Sequence, residues 1–115
     1  MKKLILLFAV FISSGAYAGG WTNWAKPIQI DLERGHGMMV YGAFGNPGQC
    51  TTTDRIYIQS SHPDYDRLYS MILAAYMSGK RIAAYSHTCD SVGWYSVDTT
   101  TYNYITPSGV VNIKD

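Results

Sequence analysis

The chain has 115 residues, 47% hydrophobic and 15% charged, with nine basic and eight acidic side chains and a net charge of +1. That length suits one small domain. So even a balance argues against nucleic acid, which normally asks for a basic face, and against a polybasic membrane-surface patch. Ten tyrosines and abundant threonine favour a β-rich fold.

Met1-Lys2-Lys3 opens the chain, an unbroken apolar run follows from Leu4 to Ile12, and Ser13-Ser14-Gly15-Ala16-Tyr17-Ala18 comes next. A basic start, an apolar middle and small residues at 16 and 18 make the pattern of a Sec-type secretory signal. Cleavage is predicted between Ala18 and Gly19. The apolar run of about nine residues falls far short of the roughly 20 that a spanning helix needs. No cysteine follows the cleavage point, so a lipid anchor is not expected. Losing Lys2 and Lys3 from the nine basic residues leaves seven against eight acidic ones in the mature domain, 19–115. The expected product is secreted or periplasmic, with no membrane span.

Export decides how Cys50 and Cys89 are read. In an oxidising compartment a lone pair in a small domain is a structural disulfide more often than a metal or redox pair, and Cys-x-x-Cys is absent. Closing a loop of roughly 40 residues is worth about 4 kcal/mol in the chain-entropy account.

Along the mature chain, Pro27 to Leu32 alternates apolar and polar. This predicts a half-buried strand with Ile28, Ile30 and Leu32 inward. Glu33-Arg34-Gly35-His36-Gly37 reads as a turn. Met38 to Phe44 is a second strand, apolar on both faces, ended by Gly45-Asn46-Pro47-Gly48. Arg55 to Gln59 is a third, with Ile56 and Ile58 inward and Tyr57 outward. Ser61-His62-Pro63-Asp64 reads as a capping box with Ser61 as N-cap. Tyr65, Leu68, Tyr69, Ile72 and Tyr76 then recur at helical spacing, and Gly79 closes the helix. Arg81 to Ser86 is a fourth strand, with Ile82 and Ala84 inward. A loop carrying Cys89 leads to a fifth, Trp94 to Asp98. The tail, 99–115, is extended chain around Pro107-Ser108-Gly109, in the manner of a terminal hairpin.

This order predicts an α+β, mainly β domain: a small five- to six-stranded OB-like Greek-key barrel. Its helix lies between strands three and four, and one disulfide joins Cys50 to Cys89. An α+β sandwich with the helix on one face is the alternative. Such barrels bind ligands on the face of strands two and three, flanked by the loops joining strands one to two and four to five.

Cys50 before strand three, Cys89 after strand four, and the helix ending in Ala75-Tyr76-Met77-Ser78-Gly79-Lys80-Arg81-Ile82 carry a pattern-level resemblance. Over roughly Cys50 to Cys89, the chain resembles small secreted bacterial OB-fold-like proteins of the kind seen in B subunits of subtilase-cytotoxin-type AB5 toxins. The resemblance implies ring formation and binding of cell-surface glycans. It carries over no sugar-contacting residue.

Catalytic patterns are missing. There is no H-E-x-x-H, no Gly-x-Ser-x-Gly, and no carboxylate pair singled out among Asp31, Glu33, Asp90 and Asp98. Asp64 and Asp66 suit a helix N-terminus. The expectation is a protein with no catalytic residues, metal or cofactor. A ligand site is predicted at Arg34 and His36 in one flanking loop, His87 and Asp90 in the other, Trp94 beyond them, and Tyr41 and Tyr57 between. The alternative is that Trp94 and the tyrosines are core or rim residues. Because the helix is apolar nearly all round, it is expected to be buried on more than one side, with homo-oligomerisation through residues 62–78. The expected function is a non-catalytic binding module for a glycan or cell-surface protein. A periplasmic inhibitor or immunity-type protein is the alternative, and a small hydrolase ranks last.

Overall fold

The computed structural model describes residues 19–33, 36–92 and 100–115. The predicted signal segment, Arg34 and the predicted strand Trp94 to Asp98 lie outside the described residues. Among the described residues, eight strands and one helix follow in the order β1 (Gly20–Trp21), β2 (Gln29–Leu32), β3 (Gly37–Tyr41), β4 (Arg55–Gln59), α1 (Tyr65–Ser78), β5 (Arg81–Ser86), β6 (Thr88–Ser91), β7 (Thr101–Tyr104) and β8 (Val111–Lys114). The domain is α+β, with a five-stranded sheet β2-β3-β4-β7-β6 and a three-stranded sheet β1-β5-β8.

The strand count exceeds the expected five to six for two local reasons. Gly20–Trp21 is too short to show alternation, and Thr88–Ser91, read as a loop around Cys89, is a strand paired with β7. The tail forms no hairpin. β7 runs parallel to β4 in the large sheet, while β8 pairs antiparallel with β5 in the small one. The turn between them is closed by Gly109 N–H donating to the Thr106 carbonyl at 2.7 Å.

Period-2 alternation supplies the core from both sheets. Met38 and Val40 of β3, Ile56 and Ile58 of β4, and Ile82 and Ala84 of β5 are fully buried, and they meet Leu68, Ile72 and Ala75 of α1. Tyr57 does face away from Ile56 and Ile58, yet it is only 1% exposed. The opposite face of the large sheet has its own apolar cluster of Met39, Tyr57, Val92 and Tyr102. On β2 the expected burial fails at both ends: Ile30 is half-buried, whereas Ile28 and Leu32 are exposed. β2 is the edge of its sheet, and nothing among the described residues covers its ends.

The helix begins later than its capping box suggests. Asp64 is the N-cap and makes no side-chain cap bond. Ser61 Oγ instead donates to Gln59 Oε1, and His62 Nδ1 accepts from Asp64 N–H at 3.0 Å. His62 is buried, and its Nε2 donates to the Thr106 carbonyl at 3.0 Å, so the imidazole fastens the helix entry to the tail. Gly79 ends the helix at φ 75°, a left-handed conformation costly for residues bearing a Cβ. One helical stripe is buried, while Tyr76 and Met77 stay exposed. Within one chain, α1 is therefore covered on one side only. No described helix is long and apolar enough to cross a membrane.

Cys50 and Cys89 are bonded, with 39 residues of sequence separation. Beneath the bond lies fully buried Asn103. Its Oδ1 accepts from Gly48 N–H at 2.8 Å and its Nδ2 donates to Asn46 Oδ1 at 2.9 Å. Asn46 in turn bonds both the N–H and the carbonyl of Cys50. A Cβ on Gly48 would stand 2.7 Å from Asn103 Oδ1 and 3.1 Å from Cys89 Sγ, so only glycine fits between amide and disulfide. Replacing both cysteines with alanine is expected to lower unfolding stability by about 4 kcal/mol. Urea denaturation of oxidised protein and variant measures this, and a loss below about 1 kcal/mol contradicts the staple role.

Candidate ligand-binding site

The outer face of the small sheet is built around an irregularity in the first strand. Trp21 pairs with Tyr85, while Ala25 pairs with Ile82. Three residues, Thr22 to Trp24, thus stand opposite two, Ala83 and Ala84, which is a β-bulge. In a regular strand, positions 21 and 24 point to opposite faces. The extra residue reverses that parity, and both indoles project from the same side.

Thr22 holds the bulge in place. Its N–H donates to the Ala84 carbonyl at 2.9 Å, and its hydroxyl accepts from Ala84 N–H at 2.9 Å. The side chain therefore fills a place where a regular ladder would present a backbone carbonyl. Asn23 N–H turns the other way, to the Phe44 carbonyl at 3.0 Å, and Ala25 resumes the ladder by exchanging two hydrogen bonds with Ile82.

Trp21 and Trp24 then flank a cavity of about 220 Å³ whose other lining residues are Thr22, Ala83 and Asn112. The indoles remain 51% and 39% exposed, while Ala83, at 2%, forms the floor with nothing larger than a methyl group. Lys114 Nζ stands 4.4 Å over the Trp24 ring, a cation–π contact. On the far side Trp21 meets Tyr85 edge to face at 5.4 Å, and Tyr85 packs against His87 at 4.7 Å. An aromatic strip thus extends from the slot along β5. It offers C–H-accepting faces, the two-way hydrogen bonding of an exposed amide at Asn112, and one cation.

The sequence-predicted site falls into separate places. Tyr41, Tyr57 and Asp90 do share the outer face of the large sheet, by the registers Met39↔Tyr57, Tyr57↔Tyr104 and Asp90↔Tyr102. Tyr57 lies beneath that face: its hydroxyl donates to the His36 carbonyl at 3.0 Å and its ring stacks on Tyr104 at 5.9 Å. Tyr41 donates to Asp31 Oδ2 at 2.9 Å and carries the Arg55 guanidinium over its ring at 4.6 Å. These tyrosines are largely occupied in holding the sheet face together. His87 belongs to the other sheet's aromatic strip, and the His36 side chain is exposed at the end of β3. Arg34 and Trp94 lie outside the described residues.

Burial, followed by the neighbouring Tyr104, Tyr65 and Glu33, holds the Tyr57 hydroxyl well above its ordinary pKa. Burial and then Asp90 raise Tyr104. Among the described residues there is no group of three or more His, Cys, Asp or Glu side chains able to hold a metal ion. The exposed tryptophans were legible only as Trp21-Thr-Asn-Trp24, a spacing that ordinarily separates side chains onto opposite faces. No protein-family model, curated protein or solved structure matches the chain.

Thr22→Val keeps the shape of the bulge but deprives the buried Ala84 N–H of its acceptor. It is expected to cost about 1–3 kcal/mol and to shift tryptophan emission, while Thr22→Ser preserves both. Thermal unfolding of the two variants gives the answer, and equal stability discounts the hydroxyl. Tyr57 makes stability pH-dependent on the alkaline side. Its pKa is raised above the unfolded value of 10.0, so its contribution is complete below pH 10 and is lost as pH rises beyond it. Unfolding free energy is expected to fall steeply above pH 10, and less steeply in Tyr57→Phe. Denaturant titrations at pH 8 and 11 with superimposable losses in both proteins remove Tyr57 from this role.

Proposed function

We propose that the protein is a non-catalytic binding module, exported to the periplasm or beyond, whose Trp21–Trp24 slot takes a sugar ring of a glycan. The observation that carries this reading is the pair of exposed indoles brought to one face by the bulge, with a bare alanine floor between them. Sugar rings present apolar C–H faces bordered by hydroxyls. Indole walls match the first, and the Asn112 amide and Thr22 backbone border match the second. Most exposed tryptophan surface elsewhere is removed by folding, because aromatic burial is a large hydrophobic gain. Two indoles left open side by side are therefore a feature to be explained by a ligand. The slot's volume of about 220 Å³ is below the roughly 300–1,000 Å³ of pockets for drug-sized ligands, in keeping with a single ring held at the surface.

The same reading takes the architecture as an OB-like barrel related in plan to AB5 toxin B subunits. It is supported by the parallel β4–β7 pair, by α1 preceding β5, and by β5 and β6 being separated only by His87. One bent strand would then belong to both sheets. The disulfide is compatible with the oxidising compartment that the secretory signal implies.

Glycan-array screening of the oxidised protein, followed by calorimetry on the best ligand, tests the proposal. Trp21→Ala and Trp24→Ala are each expected to weaken binding at least about tenfold, the scale of a truncated aromatic anchor, with unchanged circular dichroism. Glycan binding that survives both substitutions, or none across the array, overturns it.

A further inference from the structure

The β2 edge of the large sheet carries Pro27 and Asp31, yet its flank towards α1 is apolar and exposed. Among the described residues β2 has one neighbour, β3, and no strand pairs with its other side. Glu33 N–H donates to the Gly37 carbonyl at 2.8 Å, with Asp31↔Met39 and Gln29↔Tyr41 in register. Antiparallel alternation then sends the amides of residues 29, 31 and 33 to β3 and those of Ile30 and Leu32 outward; Ile28 N–H also turns to β3, donating to the Tyr41 carbonyl at 2.8 Å, so the regular outward edge begins after Ile28. Edge strands usually carry charge, proline or a bulge against unwanted pairing. Here Ile28 and Leu32 are 69% and 59% exposed. They border a groove of about 280 Å³ that also takes in Ile30 and the α1 residues Tyr69, Leu73 and Tyr76.

We infer that this face is occupied by a second copy of the chain, with β2 pairing antiparallel to β2 of its partner about a two-fold axis at Ile30. The inference stands independently of the sugar site. Three features of one register support it. The outward amide and carbonyl of Ile30 meet the same groups of the partner's Ile30 as a hydrogen-bonded pair. Leu32 of each strand runs towards the exposed Ile28 end of the partner strand, so these apolar side chains and the exposed Tyr76 flank of each helix cover one another. On the other face Gln29 falls opposite the partner's Asp31, an amide donor against a carboxylate, and no like charges meet. Gln29 Nε2 already donates to its own Asp31 at 3.0 Å, which shows the amide is placed at carboxylate height, and a carboxylate accepts further donors. A shift of one residue would set Ile30 and Leu32 against polar neighbours and turn Gln29 and Asp31 to the apolar face, so the register is specified by the pattern.

A head-to-tail ring through this edge is less well matched. The other edge of the large sheet is Thr88-Cys89-Asp90-Ser91. Pairing β2 with that strand would set isoleucine and leucine against threonine, aspartate and serine. The self-complementary surface is the mark of an isologous two-fold contact.

Sedimentation velocity and equilibrium on the oxidised protein over a wide concentration range test this. A reversible dimer is expected. Leu32→Glu, at a position exposed within one copy, is expected to leave the fold intact by circular dichroism and give a monomer. Gln29→Lys and Gln29→Glu read the register. The first sets a cation against the partner's Asp31 and strengthens the dimer; the second opposes two carboxylates and weakens it. The pair occurs twice per interface, giving changes of roughly two- to thirtyfold in opposite directions. A monomer up to about millimolar, a larger ring, a dimer indifferent to Leu32→Glu, or Gln29 variants that do not move in these opposite directions overturns the proposal.

Discussion

The Cys50–Cys89 bond, seated on the buried Asn103 amide, is the constraint on which the rest of the architecture depends. Cys89 lies on β6, directly after the chain has left the small sheet at His87, and Cys50 lies within the loop between β3 and β4. The bond therefore fixes where the chain passes from one sheet to the other. Asn103 works from the third side, on β7, by binding Gly48 and Asn46 of the same loop. A buried amide is costly unless its groups are satisfied; here the loop satisfies it, and backbone bonds from Thr52 to Thr101 and from Asp54 to Gly45 hold the rest of the loop. Covalent closure restricts the unfolded chain, while the amide network selects one folded position for the loop. The two effects act on different states and reinforce each other.

At the other end of the small sheet, a single hydroxyl determines what the surface presents. The Thr22 side chain replaces a backbone acceptor opposite Ala84, and the strand can then carry one extra residue without leaving a buried N–H unpaired. As a consequence, two indoles that simple alternation would place on opposite sides stand together over Ala83. The outer face of the large sheet shows the contrary use of aromatics. Tyr57 and Tyr104 stack, Tyr41 binds Asp31, and Arg55 caps Tyr41. That face is tied up by its own residues, which lowers its value as a platform for stacking a sugar.

The aromatic slot and the β2 edge lie on different sheets, so occupation of one does not require the other to be free. A two-fold dimer would carry two slots, and two weak sugar contacts on one surface gain from effective concentration without any new contact. Weak single-ring sites are useful in that setting. The arrangement also accounts for the uneven helix: one stripe is buried in its own domain, and the flank bearing Tyr76 is left beside the edge strand.

The sequence by itself determined the elements with strong local periodicity or punctuation. β4 and β5 occur over the residues that alternation marks, the helix ends at Gly79, and Cys50 pairs with Cys89, the only partner available. These depend on near neighbours or on simple counting. Tertiary structure decided the rest. Whether Tyr57 is a platform or a core residue depended on what covers the second face of its sheet. Whether Ile28 and Leu32 were inside depended on β2 being an edge. That His62 fastens the helix entry depended on the Thr106 carbonyl, 44 residues away. Above all, Trp21 and Trp24 share a face because Ala84, far along the chain, supplies both halves of the bond that holds Thr22. Alternation is a local rule and predicts faces only while pairing is regular. A bulge is set by the partner strand, and only the folded chain brings that partner alongside.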